Sequence, residues 1–176
     1  MSQDVDAALK PIAEFEKTKD ANLLEQASGR LLAIDPLGVP ATADRLAVRH
    51  KAAAAWMRLI HAIDSARDPH FDPEDRPLTR TILPGSASPG GPPKDPARKA
   101  EYDKAVAANQ RKAEQTQLQW RLKAIESEVS DGARSFFKRF FTPSPVDAKE
   151  VRQLREAAKI PEARWTEIMK PPAPKQ

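Results

Sequence analysis

Proline is distributed very unevenly along this chain of 176 residues, and the distribution restricts the fold more than any motif does. Eight of the seventeen prolines lie between Pro69 and Pro96, whereas residues 41–67 and 97–141 contain none. Because proline lacks a backbone donor and interrupts helices, two long proline-free stretches are typical of long helices. The layout predicts a helical bundle in which one long, proline-rich connection joins the two longest helices.

The composition favours an all-α fold. Six glycines and an aromatic content of 6% are low for a sandwich or a barrel, which need many turns and strand-forming side chains. Strong helix formers dominate, and the lack of cysteine excludes disulfide bonds and thiolate metal sites. No apolar stretch approaches the roughly 18 residues that a membrane-spanning helix requires.

Apolar side chains that recur every third or fourth position predict the individual helices. The predicted spans are 4–19, 21–34, 41–67, 96 to between 129 and 141, 144–159 and 162–169. Pro11 lies inside the first span and predicts a kink there, or a helix that starts only near Lys10. We expect a bundle of five or six helices with the third and fourth packed antiparallel.

These spans also give a domain interpretation. We expect an N-terminal three-helix segment, residues 1–67, to pack with a C-terminal helical segment, residues 97–170, as one domain. Residues 68–96 would be the proline- and glycine-rich connection, and residues 171–176 a disordered tail. The N-terminus shows no signal-peptide pattern, which predicts a cytoplasmic location, or a periplasmic one if a signal peptide has been removed.

The chain contains no residue pattern that predicts catalysis. It has no Gly-x-Ser-x-Gly turn and no glycine-rich phosphate loop. One group of imidazoles and carboxylates comes nearest to a metal site: His61, Asp64, Asp68, His70 and Asp72. Its spacing matches no standard ligand motif. We therefore predict a protein that is not an enzyme and that holds no metal and no cofactor.

Residues 134–141 carry the most pointed local pattern, because four aromatic rings share one side of a helix and two cations lie on the other side. The rings are Phe136, Phe137, Phe140 and Phe141, and the cations are Lys138 and Arg139. The rings could close the end of the bundle core, anchor a protein–protein contact, or wedge into a membrane surface.

Positive charge collects in the C-terminal half, where residues 94–143 hold eleven basic and seven acidic side chains. One face of the fourth predicted helix is basic and rich in glutamine: Arg111, Lys112, Gln115, Gln119 and Lys123. The leading hypothesis is a non-enzymatic scaffold or adaptor that presents this face and the phenylalanine patch to another protein or to a second copy of itself.

Two alternatives use the same half of the chain. In the first, the basic C-terminal half binds nucleic acid, because its last apolar residues are similar to those of a helix-turn-helix DNA reader: Leu154, Ala158, Ile160, Trp165 and Ile168. The resemblance is partial, since Arg155 replaces a small residue, Lys159 replaces the turn glycine, and Glu162 and Glu167 would repel phosphates. Arg164, Thr166 and Lys170 would be its contacts. The second alternative is peripheral membrane association through residues 136–141.

Overall fold

The computed structural model describes residues 2–38, 43–72 and 95–171. Over these ranges the chain forms six α-helices, one 3₁₀ turn and no strand, which confirms the prediction of an all-α protein. The helices are α1 (Ser2–Thr18), α2 (Asn22–Leu32), α3 (Ala43–Ala66), α4 (Pro96–Phe140), α5 (Pro145–Ala157) and α6 (Glu162–Met169). Residues 73–94, most of the predicted connection, lie outside the described residues.

The chain divides into two compact units. The first comprises Met1–Arg67 together with Leu122–Gln176, and the second comprises Asp68–Arg121. The long helix α4 contributes residues 96–121 to the second unit and residues 122–140 to the first. That 97–170 packs with 1–67 as a single domain stays a prediction.

The first unit contains a hairpin of α1 and α2, whose apolar stripes are buried against neighbouring helices. The buried residues of the two stripes are Val5, Ala8, Ile12, Phe15, Leu24, Ala27 and Leu31. Asp20 lies between the helices, and its Oδ1 accepts a hydrogen bond of 3.0 Å from the backbone N–H of Asn22. This bond gives a partner to the N–H of Asn22, the first residue of α2, whose N-cap residue is Ala21.

Helix α1 continues through Pro11, so the predicted late start near Lys10 is wrong. Proline at this position cannot donate to the main-chain oxygen of Ala7, four residues earlier. The guanidinium of Arg30 in α2 donates to that oxygen instead, at 2.6 Å. A side chain of the neighbouring helix thus occupies the acceptor that the proline leaves vacant.

Helix α3 contacts α1, α2, the 3₁₀ turn at Pro36–Gly38, and α5. It also meets the part of α4 that belongs to the same unit. Arg49 donates to the main-chain oxygen of Phe140, Trp56 lies 6.4 Å from Phe136 between ring centroids, and Arg67 pairs with Glu126. These contacts run in opposite order along the two helices, as they do between antiparallel helices.

Gly132 allows α4 to approach Trp56 closely. A Cβ atom at position 132 would lie 2.6 Å from the Cη2 atom of the Trp56 indole and 3.1 Å from a methyl group of Leu32. The indole is fully buried and cannot retreat without disturbing the core. The absence of a side chain at position 132 is therefore a packing requirement.

The turn between α5 and α6 contains a lysine in the left-handed region. Lys159 has a φ of 59°, the N–H of Lys159 bonds to the oxygen of Glu156, and the N–H of Ile160 bonds to the oxygen of Arg155. This is the Schellman arrangement, in which glycine is the usual residue at the left-handed position. At its other end, α5 is capped by Ser144, whose side-chain oxygen accepts a hydrogen bond from the N–H of Asp147.

Candidate interaction surface

Three of the four phenylalanines of the predicted patch are buried in the first unit. Phe136, Phe137 and Phe141 are 5%, 3% and 9% exposed, and Phe140 is half-buried. Only the two cations between them, Lys138 and Arg139, are exposed. The expectation that these rings are presented to a partner or to a membrane is therefore wrong for Phe136, Phe137 and Phe141.

Contacts between aromatic rings explain this burial. Phe136 makes a tilted contact with Trp56 and an edge-to-face contact with Phe137. Phe137 in turn meets the Trp165 ring of α6 edge to face at a centroid distance of 4.8 Å. Phe141 lies beneath the guanidinium of Arg49, whose centre is 4.4 Å from the ring. The rings pack α3 and α6 against the end of α4. They therefore close the end of the core, which is the first of the three roles considered for this motif.

The predicted basic face of α4 is only partly exposed. Gln119 is 5% exposed, and its Oε1 accepts a hydrogen bond of 2.9 Å from the backbone N–H of Asp68, so this residue is a structural anchor within the second unit. Arg111, Lys112 and Gln115 are exposed in the second unit, and Lys123 is exposed in the first. A role for these four side chains in binding stays a prediction.

Arg49 joins α3 to the start of α5. Its Nη1 lies 3.3 Å from Oδ1 of Asp147, and its Nη2 lies 2.6 Å from Oε2 of Glu150. Hydrogen bonds from the side chain and the backbone of Thr142 lower the pKa of Asp147 against the opposing effect of burial, and Arg49 lowers it further. The guanidinium of Arg49 therefore has a structural role, because its ion pairs link α3 to α5.

Arg164 forms a second cluster of charges within the first unit. Its guanidinium lies 3.0 Å from Asp64 of α3, 2.5 Å from Glu126 of α4 and 2.9 Å from Glu167 of α6. Burial lowers the pKa of Arg164, but the hydrogen bonds that its guanidinium donates to these carboxylates outweigh burial and raise the pKa above its ordinary value. The side chain is a permanent cation that holds three helices together.

These pairs bear on two sequence hypotheses. Asp64, one of the five residues considered as metal ligands, is paired with Arg164. His61, another of the five, has its Nε2 atom 3.2 Å from the hydroxyl of Ser65. In the ranges that the structure describes, no group of three or more imidazoles and carboxylates is placed to hold a metal ion. Arg164 was a predicted nucleic-acid contact, and its three carboxylate partners take up its donors.

Lys149 and Arg152 of α5 differ from Arg49 and Arg164, which are enclosed by carboxylates. Lys149 and Arg152 are both exposed, and neither makes an ion pair or a hydrogen bond with any other described residue. They line a groove of about 430 Å³ between α5 and α6, together with Arg155. Arg155 donates to the oxygen of Ile160 at 3.2 Å and lies 3.9 Å from Glu162, which is also at the groove.

The groove has an apolar part beside these cations. Pro145, Val151 and Trp165 line it, and Trp165 is half-buried and makes an edge-to-face contact with Phe137. A volume of about 430 Å³ lies within the range of ligand clefts. The groove combines an aromatic surface with two cations, Lys149 and Arg152, that pair with no other residue that the structure describes.

A second groove, of about 320 Å³, lies beside α1, α3 and α5 and is chemically different. Its Arg58 pairs with Glu16 through two hydrogen bonds of 3.2 and 2.8 Å, and the bond from Arg58 lowers the pKa of Glu16. Glu16 and Arg58 thus neutralise each other, and Lys159 is the one cation of this lining that has no ion pair among the described residues. The groove between α5 and α6 is therefore the stronger candidate.

Comparison of the chain with family models, curated proteins and solved structures gave no match. Among the described residues, no helix has both the length and the apolar character needed to cross a bilayer.

The groove between α5 and α6 was missed in the sequence, although a signal was present. Lys149, Arg152 and Arg155 recur at three-residue spacing, which places them on one broad face of a helix. What the spacing could not give is the partner of each cation. Arg155 and Arg164 have the same chemistry as Arg152, and only the fold decides which guanidinium meets a carboxylate.

Proposed function

We propose that the protein is a non-enzymatic helical adaptor that binds another protein at the groove between α5 and α6. One observation carries this proposal: Lys149 and Arg152 lie exposed beside an aromatic surface and pair with no other residue that the structure describes, whereas Arg49 and Arg164 are enclosed by carboxylates. Cations that stabilise no other part of the described chain are available for a partner.

A photo-crosslinking experiment in the cells that make the protein tests the proposal. A photoreactive amino acid replaces Ala148, which is exposed and lines the groove, and in a control it replaces Gln26, which is exposed on α2. We expect a discrete protein adduct from position 148 that is absent from position 26. The adduct should disappear when Lys149→Glu and Arg152→Glu are added. Identical adducts from both positions would refute the proposal.

Nucleic-acid binding is the alternative that the same basic half suggests. The exposed carboxylates of Glu162 and Glu167 on α6 would oppose a phosphate backbone, and Arg164 is enclosed by its partners. A salt titration of duplex DNA binding separates the two functions. Tight binding at low salt with a steep loss at moderate salt would favour nucleic acid over the adaptor.

A further inference from the structure

The groove between α5 and α6 also carries information about its occupant, and this inference rests on the adaptor function proposed above. Its ionisable lining is Lys149, Arg152, Arg155 and Glu162, which gives three cations and one carboxylate. Arg155 lies at the limit of ion-pair distance from Glu162, at 3.9 Å, while Lys149 and Arg152 have no acidic partner among the described residues. The groove therefore has an excess of positive charge that an anionic ligand would complement.

Trp165 supplies the other half of the recognition chemistry. Its ring is held in place by the edge-to-face contact with Phe137, so little side-chain freedom is lost when a ligand packs on it. Its indole N–H donates no hydrogen bond to the part of the chain that the structure describes, and is therefore available as a donor. A rigid aromatic ring with an available polar group is typical of an anchoring position at a protein interface.

The surroundings of the groove argue for a short ligand. Glu156 and Glu162 have side chains that are 61% and 85% exposed, and Glu167 is 69% exposed. A nucleic-acid backbone or an anionic lipid surface extends well beyond a groove of this size and would meet these carboxylates. A segment of a few residues can place its charges on α5 and avoid them.

We infer that the groove binds a short acidic segment of a partner protein, with carboxylates on Lys149 and Arg152 and an apolar side chain against Trp165. The charged contacts set the register of the segment, and the apolar side chain fills the space beside Pro145 and Val151. Both features are needed, because exposed charge pairs alone contribute little to affinity.

Nuclear magnetic resonance on the full chain tests this inference. The probe is the acetylated pentapeptide Asp-Asp-Leu-Asp-Asp amide, and the readout is the indole N–H resonance of Trp165, assigned by its loss in Trp165→Phe. We expect a saturable shift of this resonance, and a weaker response to the peptide with serine in place of leucine. The analogous peptide with lysine in place of aspartate should give no shift.

Charge reversal provides the matched control. Lys149→Glu with Arg152→Glu should weaken binding of the acidic peptide by at least on the order of tenfold, because like charges then face each other. Lys10→Glu with Lys17→Glu changes the net charge equally at exposed positions of α1 and should leave binding unchanged. All four positions are exposed, so the variants should fold, which circular dichroism verifies.

Three results would overturn the inference. These are no shift at millimolar peptide, equal weakening by both pairs of reversals, or a Trp165 shift with an oligothymidylate or phosphatidylserine vesicles but not with the acidic peptide. A protein adduct from position 148 together with a negative peptide result would leave the adaptor function in place and reject only the acidic segment. Absence of any adduct from position 148 in the otherwise wild-type chain would reject the adaptor function itself.

Discussion

Arg30 of α2 donates a hydrogen bond of 2.6 Å to the main-chain oxygen of Ala7 in α1. Ala7 lies four residues before Pro11, which has no N–H for that oxygen. The backbone hydrogen bond that α1 lacks at Pro11 is thus replaced by a hydrogen bond from a side chain of α2. This one hydrogen bond links α1 to α2 and also satisfies the oxygen that Pro11 leaves without a donor.

This relationship predicts a specific coupling between positions 30 and 11. Arg30→Met should lower the free energy of unfolding by about 1 kcal/mol, the usual value for one hydrogen bond. In a Pro11→Ala background the cost should be much smaller, because the N–H of the new alanine can bond to Ala7. Urea denaturation of the four proteins measures the coupling. An equal cost of Arg30→Met in both backgrounds would contradict this account.

The close approach of α4 to Trp56 predicts opposite effects for two glycine substitutions. Gly132→Ala should lower the free energy of unfolding by about 2 kcal/mol, because the added methyl group meets a buried indole at 2.6 Å. Gly29→Ala is the matched control inside α2, where a Cβ atom meets nothing within 4 Å. It should raise the stability by about 0.5–1 kcal/mol through helix propensity.

Calorimetric melting temperatures of these two variants are the measurement. The account is wrong about the packing of α4 on α3 if Gly132→Ala melts at or above the temperature of the wild-type protein. A rise in both melting temperatures would show that helix propensity, and not the contact with Trp56, governs position 132.

Two lysines in the left-handed region predict a gain in stability on replacement by glycine. Lys19 and Lys159 both have a φ of 59°, which costs a residue with a Cβ atom about 1 kcal/mol. Lys159→Gly should therefore raise the free energy of unfolding, while Lys159→Ala should change it little because alanine has the same Cβ atom. Urea midpoints of the two variants decide the matter, and a gain from alanine would exclude backbone strain as the cause.

The pKa of Asp147 predicts how stability depends on pH. The hydrogen bonds of Thr142 lower this pKa below the unfolded value, so the charged carboxylate stabilises the fold above the unfolded pKa. That contribution disappears as the pH falls through the lowered pKa. Asp147→Asn should cost about 2 kcal/mol at pH 7 and progressively less in acid.

Unfolding by urea at a series of pH values measures this difference between the wild-type protein and Asp147→Asn. Asp6→Asn serves as the control, because it removes an exposed carboxylate that pairs with Lys51 and should cost less than about 0.5 kcal/mol throughout. A cost for Asp147→Asn that stayed constant down to pH 2 would contradict the assignment.

The positions of the helices followed from local pattern, whereas the roles of the charged side chains did not. Prolines and capping residues mark helix ends in the sequence itself, as Asp95 does by accepting from the N–H of Ala97 at the start of α4. Gln119 instead was predicted on an exposed face and is buried. Its hydrogen-bond partner Asp68 lies 51 residues away in the chain, so no local pattern could reveal this contact.

The same limit applies to the phenylalanines and to the arginines. A cluster such as Phe136 and Phe137 has the same pattern whether it faces solvent or the core, and only the positions of Trp56 and Trp165 decide between them. Arg164 and Arg152 likewise look equivalent in the sequence. One is surrounded by carboxylates from three helices, and the other meets none among the described residues.

This division between structural and available cations is the central claim, and urea unfolding of two single variants tests it most directly. Arg164→Met should lower the free energy of unfolding by about 2 kcal/mol, because it leaves Asp64 and Glu126 without their shared partner. Arg152→Met should change it by less than about 0.5 kcal/mol. Equal losses from the two substitutions would contradict the claim, because Arg152 would then be part of the fold and not free for a partner.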